Sequence, residues 1–260
     1  MRVLVVQNYD GTALGQVGRA LGEARAEIDL RRAHRGERLP ADPSGHDALV
    51  MLGGGQNALA DDEYPYFPAL LALARDFAQA DKAVLGICLG SQLLARAFGG
   101  RNSIGGATEF GWHAVSLTEA AKADPVLGTL PPHFPIFQWH DDTFSLPPDA
   151  VRLASSAVAE NQVFRVGRAA YGFQFHFEAD QPQVREWSVS FAAAIAARHP
   201  GWGEELDGEA ARRRGPGDRA RLGRGRLKSA PERPPWQIWH AARDSFPGCF
   251  FVLGCAGALP

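Results

Sequence analysis

The chain has 260 residues, 45% of them hydrophobic, and 27 Lys and Arg against 29 Asp and Glu leave a formal net charge of −2. That composition suits one α/β domain with a full core plus an appendage. No run of eighteen or more apolar residues suggests a membrane span, MRVLVVQNYD enters a strand at once rather than a signal peptide, and three cysteines argue for a reducing cytoplasm over a disulfide framework.

The predicted elements begin with a VLVVQ strand (3–7), a LGQVGRALGEARA helix (14–26), an EIDLR strand (27–31) and a DALVML strand (47–52). FPALLALARDFAQA (67–80) reads as a helix, AVLGIC (83–88) as a strand and SQLLARAFG (91–99) as a helix. Short strands follow at HAVSL (113–117), PIFQW (135–139), VRLAS (151–155), VFRVG (163–167) and AAYGFQFHF (169–177), and a helix over about 182–198 closes the domain. Alternating strands and helices followed by strand pairs predict an α/β fold: an open, mostly parallel sheet flanked by helices in flavodoxin-like layering, with an antiparallel extension. No internal repeat is visible.

Cys88 lies between Gly86 and Gly90, at the junction of the sixth predicted element and the helix after it. A thiol there sits at a helix N-terminus, where unpaired N–H groups and the macrodipole favour the thiolate. The flanking glycines leave room for a strained turn and a close substrate. A buried cysteine used only for packing fits the same segment. In YGFQFHFE (171–178), period-2 alternation puts Tyr171, Phe173, Phe175 and Phe177 on one face, and Gln174, His176 and Glu178 on the other. An aromatic face belongs on a core, so the polar face points at solvent or at a site. His176 and Glu178 suit a base and the carboxylate that orients it, or a surface histidine with a solvated neighbour.

GICLGSQLLA followed by QFHFE resembles the class I (triad) glutamine amidotransferases, and is similar to stand-alone proteins like the glutaminase domain of GMP synthetase. MLGGGQNA, DDEYPYFPALLALAR, EFGWHAV, FPIFQWHDDTF and VRLASSA extend the resemblance over residues 3–198 in order and spacing. The resemblance implies that Cys88 attacks the side-chain amide carbon of glutamine, that His176 moves the protons and that Glu178 fixes the imidazole. It also implies an oxyanion hole from the backbone N–H groups of Leu89 and Gly54, and substrate contacts from Gln92, Glu109, Trp112, His140 and Asp142. His140 and Asp142 have the alternative of capping a turn. Phe177 stands where relatives often have proline, which keeps the triad spacing. Gly55 stands where many have proline, and Asp141 where many have glycine, which brings a carboxylate to the mouth of the site. Relatives of DJ-1 and of the PfpI proteases share a cysteine elbow, but many carry histidine where this chain has Leu89, and the α/β-hydrolase elbow prefers serine.

Past Gly201 the composition changes. Residues 1–200 hold 17 Lys and Arg against 22 Asp and Glu, a net of −5, whereas the last sixty hold 10 against 7, a net of +3. ARRRGPGDRARLGRGRLKS lacks apolar periodicity, so residues 201–260 are expected to be a basic, largely disordered extension of a domain at 1–200. Three roles suit the tail: a contact for nucleic acid or an acidic partner, an apolar C-terminal piece (with Cys249 and Cys255) that docks or oligomerises, or an unconstrained extension that could even be a reading-frame artefact. The third is preferred, so nucleic acid is not expected as a partner. No Cys/His set has zinc spacing and no nucleotide-binding glycine motif occurs, so neither a metal nor an organic cofactor is expected. The expected substrate is glutamine or another γ-glutamyl compound. The enzyme would serve a separate synthetase in trans, or act alone as a γ-glutamyl hydrolase; a non-catalytic protein with the same fold, serving regulation or binding, is the third reading.

Overall fold

The computed structural model describes residues 1–204 and Leu206. Among them, β1 (Arg2–Gln7), α1 (Gly15–Glu23), β2 (Glu27–Arg32), β3 (Ala48–Met51), α2 (Phe67–Gln79), β4 (Ala83–Ile87) and α3 (Leu89–Ala97) form the parallel half. They are followed by β5 (Asn102–Ser103), β6 (Glu109–Leu117), β7 (His133–His140), β8 (Thr143–Phe144), β9 (Val151–Ser155), β10 (Val163–Val166), β11 (Ala170–Phe173), α4 (Gln181–Ser190) and α5 (Ala192–Arg198).

One sheet orders its strands β2-β1-β3-β4-β11-β10-β9-β6-β7. β2, β1, β3, β4 and β11 pair in parallel with one another, whereas β10, β9, β6 and β7 continue the sheet with antiparallel pairings. This is the expected α/β layering. The two parts meet at β11, whose far end carries the His176 segment, and its parallel neighbour β4 ends beside Cys88. Ligands in open α/β sheets bind at the carboxyl ends of such strands.

Apolar alternation builds both sides of the sheet. Leu4 and Val6 pack into one layer with Phe67, Phe77 and Leu93, while Val3 and Val5 pack into the other with Val17 and Leu21. β1 is therefore apolar on both faces, which explains its unbroken VLVV run. In α2, Phe67, Leu70, Leu71, Ala74 and Phe77 recur at helical spacing and are all buried. Each large side chain among them contributes about 1.5–3 kcal/mol of burial.

Several boundaries differ from expectation: α1 ends at Glu23 rather than at residue 26, and α3 starts at Leu89 rather than at Ser91. β11 stops at Phe173 and the chain bends beyond it, yet Phe175 still enters the core and His176 lines the cleft. β6 starts at Glu109, four residues before the predicted HAVSL strand. The closing helix is two helices, parted at Phe191 (φ −116°, ψ 23°), whose ring packs 5.2 Å from that of Trp139. Beyond residue 200, Trp202 and Leu206 are buried in one apolar cluster with Phe110 and Phe137. The expectations for the basic segment, Cys249 and Cys255 lie outside the described residues. Among the described residues, no helix is long and apolar enough to cross a membrane and no group of three or more His, Cys, Asp or Glu could hold a metal.

Candidate active site

Cys88 occupies the turn between β4 and α3 with φ 51° and ψ −110°, a backbone conformation that costs a non-glycine residue roughly 1–3 kcal/mol. Its surroundings hold it there. The Cys88 N–H donates to Phe173 O at 2.8 Å, and its carbonyl accepts from Ser91 N at 2.9 Å, Gln92 N at 3.1 Å and Ser91 Oγ at 2.7 Å. Gly86 and Gly90 are explained by close approach rather than by unusual dihedrals. A methyl group on Gly86 would run into the Gly90 carbonyl, and one on Gly90 into the Met51 carbonyl. The helix therefore starts hard against the sheet, with the thiol at its N-terminus.

His176 and Glu178 lie just past β11, where the chain has left the ladder. His176 N donates to Phe137 O at 2.9 Å, and Glu178 O accepts from Gln16 N at 2.9 Å. Gly15 (φ 48°) makes that second contact possible, because a side chain there would collide with the Glu178 carbonyl. The Glu178 Oε1 atom lies 2.7 Å from His176 Nδ1. Both residues are buried, and the other Glu178 oxygen, Oε2, has no hydrogen-bond partner among the described residues. Burial disfavours the imidazolium, but the Glu178 charge and the neighbouring Cys88 outweigh it and hold the His176 pKa well above its ordinary 6.5.

Thiol and imidazole meet at Gly53. A Cβ on that residue would lie 3.3 Å from His176 Cε1 and 3.4 Å from Cys88 Cβ. Cys88 and His176 line one cleft of about 440 Å³, and the thiol also points to Trp139 O at 3.7 Å. Gly54 lines the same cleft beside Leu89, the first residue of α3, whose N–H has no acceptor within its own helix. Asn8 braces the glycine-rich loop: its Nδ2 donates to Leu52 O at 2.6 Å, and its Oδ1 accepts from Tyr66 Oη at 3.0 Å.

Of the five expected substrate contacts, Gln92, His140 and Asp142 line the cleft. Gln92 Nε2 donates to Gln174 Oε1 at 3.2 Å, and His140 Nδ1 to Asp142 O at 3.0 Å. Glu109 and Trp112 do not line it, which corrects the expectation of direct contact. Glu109 is the cross-strand partner of His140 and sits behind it. There its Oε2 lies 3.2 Å from His140 Nε2 and accepts from Ser156 Oγ at 2.9 Å and Gln162 Nε2 at 2.6 Å. Burial disfavours the Glu109 charge, but the His140 and Ser156 bonds prevail and hold its carboxyl below the ordinary range. Trp112 packs in the apolar cluster of Phe137 and Trp187, 5.5 Å from the Phe137 ring. Trp139, in the Trp139-His-Asp-Asp142 turn that the resemblance matches to the glutamine site, lines the cleft, and Tyr9, Trp187 and Phe191 line it without any sequence signal for that role. Phe191 reads as part of an unbroken helix.

The family model described as glutamine amidotransferase class-I matches residues 4–186. A glutamine amidotransferase-like protein of Salmonella typhimurium is 34% identical over 154 residues, 58% of this chain and 64% of that protein. A glutamine-hydrolyzing GMP synthase component from Natronomonas pharaonis is 31% identical over 188 residues, 71% of this chain and 92% of its own. Gamma-glutamyl peptidase 5 of Arabidopsis thaliana is 31% identical over 165 residues, 60% of this chain and 64% of its own. The solved structure of a glutamine amidotransferase from Methylobacillus flagellatus superposes with a TM-score of 0.68 at 34% identity, covering 72% of this chain and 74% of that one.

Proposed function

Because the chain belongs to the class I glutamine amidotransferase family, we propose that it hydrolyses the γ-amide of glutamine, with Cys88, His176 and Glu178 as its catalytic triad. The observation that carries this reading is Cys88 on a strained turn at a helix N-terminus, sharing a cleft with an imidazole whose Nδ1 is held 2.7 Å from a buried carboxylate. With Nδ1 engaged by Glu178, Nε2 is the nitrogen left to exchange protons with the thiol and the substrate.

The thiolate attacks the γ-carbonyl carbon, forming a C–S bond as the carbonyl becomes an oxyanion. The N–H groups of Leu89 and Gly54 stabilise that charge, each such donor being worth about 3–4 kcal/mol. His176 passes its proton to the amide nitrogen, the C–N bond breaks and ammonia departs, leaving a γ-glutamyl thioester. A water then adds its hydroxyl to the acyl carbon while His176 takes the other proton, and glutamate and the thiol are released. Gln92, His140 and Asp142 hold the amino-acid end of glutamine. Glu109 acts as a positioning residue that fixes the His140 ring.

The relative named as a GMP synthase component supports an ammonia-accepting synthetase as partner, and the relative named as a gamma-glutamyl peptidase supports a self-sufficient hydrolase. Both roles pass through the same acyl-enzyme. The purified chain, given glutamine and no added metal or nucleotide, is expected to release glutamate and ammonia in equal amounts. Absence of both products while iodoacetamide still alkylates Cys88 would argue against the self-sufficient hydrolase.

A further inference from the structure

The two sides of the cleft differ in chemistry. Trp187 packs edge-on against the His176 ring at 5.2 Å, Trp139 edge-on against Trp187 at 5.8 Å and Phe191 edge-on against Trp139 at 5.2 Å, while Tyr9 lies 6.1 Å from Phe191 at a tilt of 42°. This aromatic wall starts at His176 and runs outward to Tyr9, which is 39% exposed. Trp187 Nε1 donates to Gly11 O at 2.8 Å and ties the wall to the loop after β1. Polar groups line the rest of the cleft: Gln92 on α3, the turn carrying His140, Asp141 and Asp142, Gln56 and Asn57 after the glycine-rich loop, and Thr12 beside Tyr9. Among the described residues, no lysine or arginine lines the cleft.

Proton transfer says which side takes the leaving group. The departing nitrogen receives its proton from His176, so whatever that nitrogen carries lies along the wall that begins there. Ammonia carries nothing and gains nothing from four aromatic rings. A flat apolar substituent gains burial and ring–ring contact. The cleft volume falls within the range of pockets that hold drug-sized ligands, about 300–1,000 Å³. Among the described residues, the cleft lining offers no lysine or arginine to receive an anionic amine.

Resting on the catalytic roles assigned above, we propose that the substrate class includes γ-glutamyl amides of amines bearing an aromatic group, with the amine seated on Trp139, Trp187, Phe191 and Tyr9. The balance is that of glutamine hydrolysis. The amide C–N bond breaks, the C–S bond forms, the His176 proton goes to the amine nitrogen, and water completes the cycle.

The test compares γ-glutamylbenzylamide, glutamine and γ-glutamylglycine as substrates of the full chain, without a partner. The benzylamide is expected to exceed both others in kcat/KM by about tenfold to a hundredfold. Phe191→Ala, and separately Tyr9→Ala at the exposed end of the wall, should collapse the benzylamide-to-glutamine ratio by about tenfold. A benzylamide turned over no better than glutamine, a γ-glutamylglycine that matches it, or a ratio untouched by both variants would overturn the proposal. If glutamine is cleaved and the benzylamide is not, the proposal fails while the triad assignment stands. If no amide is cleaved while iodoacetamide still alkylates Cys88, the proposal is overturned together with the self-sufficient hydrolase.

Discussion

Cys88→Ala is expected to lower glutamine hydrolysis by about 10⁵–10⁶-fold, the loss typical of removing a nucleophile that works as a unit with its base. Cys88 is the one free cysteine among the described residues, Ser91, one helical turn on, donates its hydroxyl to Cys88 O, and Thr12, which also lines the cleft, donates its own to Tyr9 O. The fold should survive, because alanine keeps the Cβ packed at Gly53 and loses only a sulfur at the cleft wall. Glutamate release compared between the variant and the native chain, with thermal melting alongside, reads both effects. Turnover within tenfold of the native chain in a folded Cys88→Ala protein would mean that another group attacks the amide.

Glu178→Gln should cost about 10²–10⁴-fold in kcat/KM, since an oriented imidazole without its carboxylate keeps some activity. The substitution preserves an acceptor for His176 Nδ1 and removes the charge. The shape of the pH profile is the sharper readout. Burial opposes the His176 imidazolium while Glu178 and Cys88 favour it, and the balance lies well above 6.5. The alkaline limb of the native profile, set by loss of that proton, should therefore stand well above 6.5 and move down in Glu178→Gln. Stability carries the same sign. The stabilisation from the raised His176 pKa is fully present below about 6.5 and is lost as pH rises through the folded value. In Glu178→Gln that loss should begin at lower pH. An alkaline limb unchanged by the substitution would detach Glu178 from the proton chemistry.

How much of this could be read from the chain depends on the range over which each feature is determined. β1, β3 and β4 announce themselves because both faces of a central parallel strand are buried, so VLVV, ALVM and AVLGI are continuous apolar runs. The elbow is equally local: Gly86 and Gly90 are demanded by contacts within a few residues of Cys88 and with the adjacent β3. The His176 and Glu178 pairing survives the early end of β11 because the side chains keep alternating, Phe175 and Phe177 to the core and His176 and Glu178 to each other, after the backbone hydrogen bonds pass to Gln162 and Phe137.

Long-range features leave no such trace. Glu109 retreats behind His140 because β6 and β7 pair in a register that sets those two residues opposite each other, across a connection of fifteen residues. No local pattern states that register. The break at Phe191 has neither glycine nor proline to mark it, and its ring is held by Tyr9 and Trp139, far away in the chain. The aromatic wall thus exists only once the fold brings the end of β1, β7 and α4 to one rim.

The most direct test of the central claim is a search for the acyl-enzyme. The native chain is mixed with glutamine, quenched in acid and digested, and the peptide containing Cys88 is weighed by mass spectrometry. A peptide heavier by one γ-glutamyl group, absent from Cys88→Ala and cleared by hydroxylamine, is the predicted result. Glutamate release with no adduct on Cys88 at any quench time, together with an adduct on another residue, would contradict it.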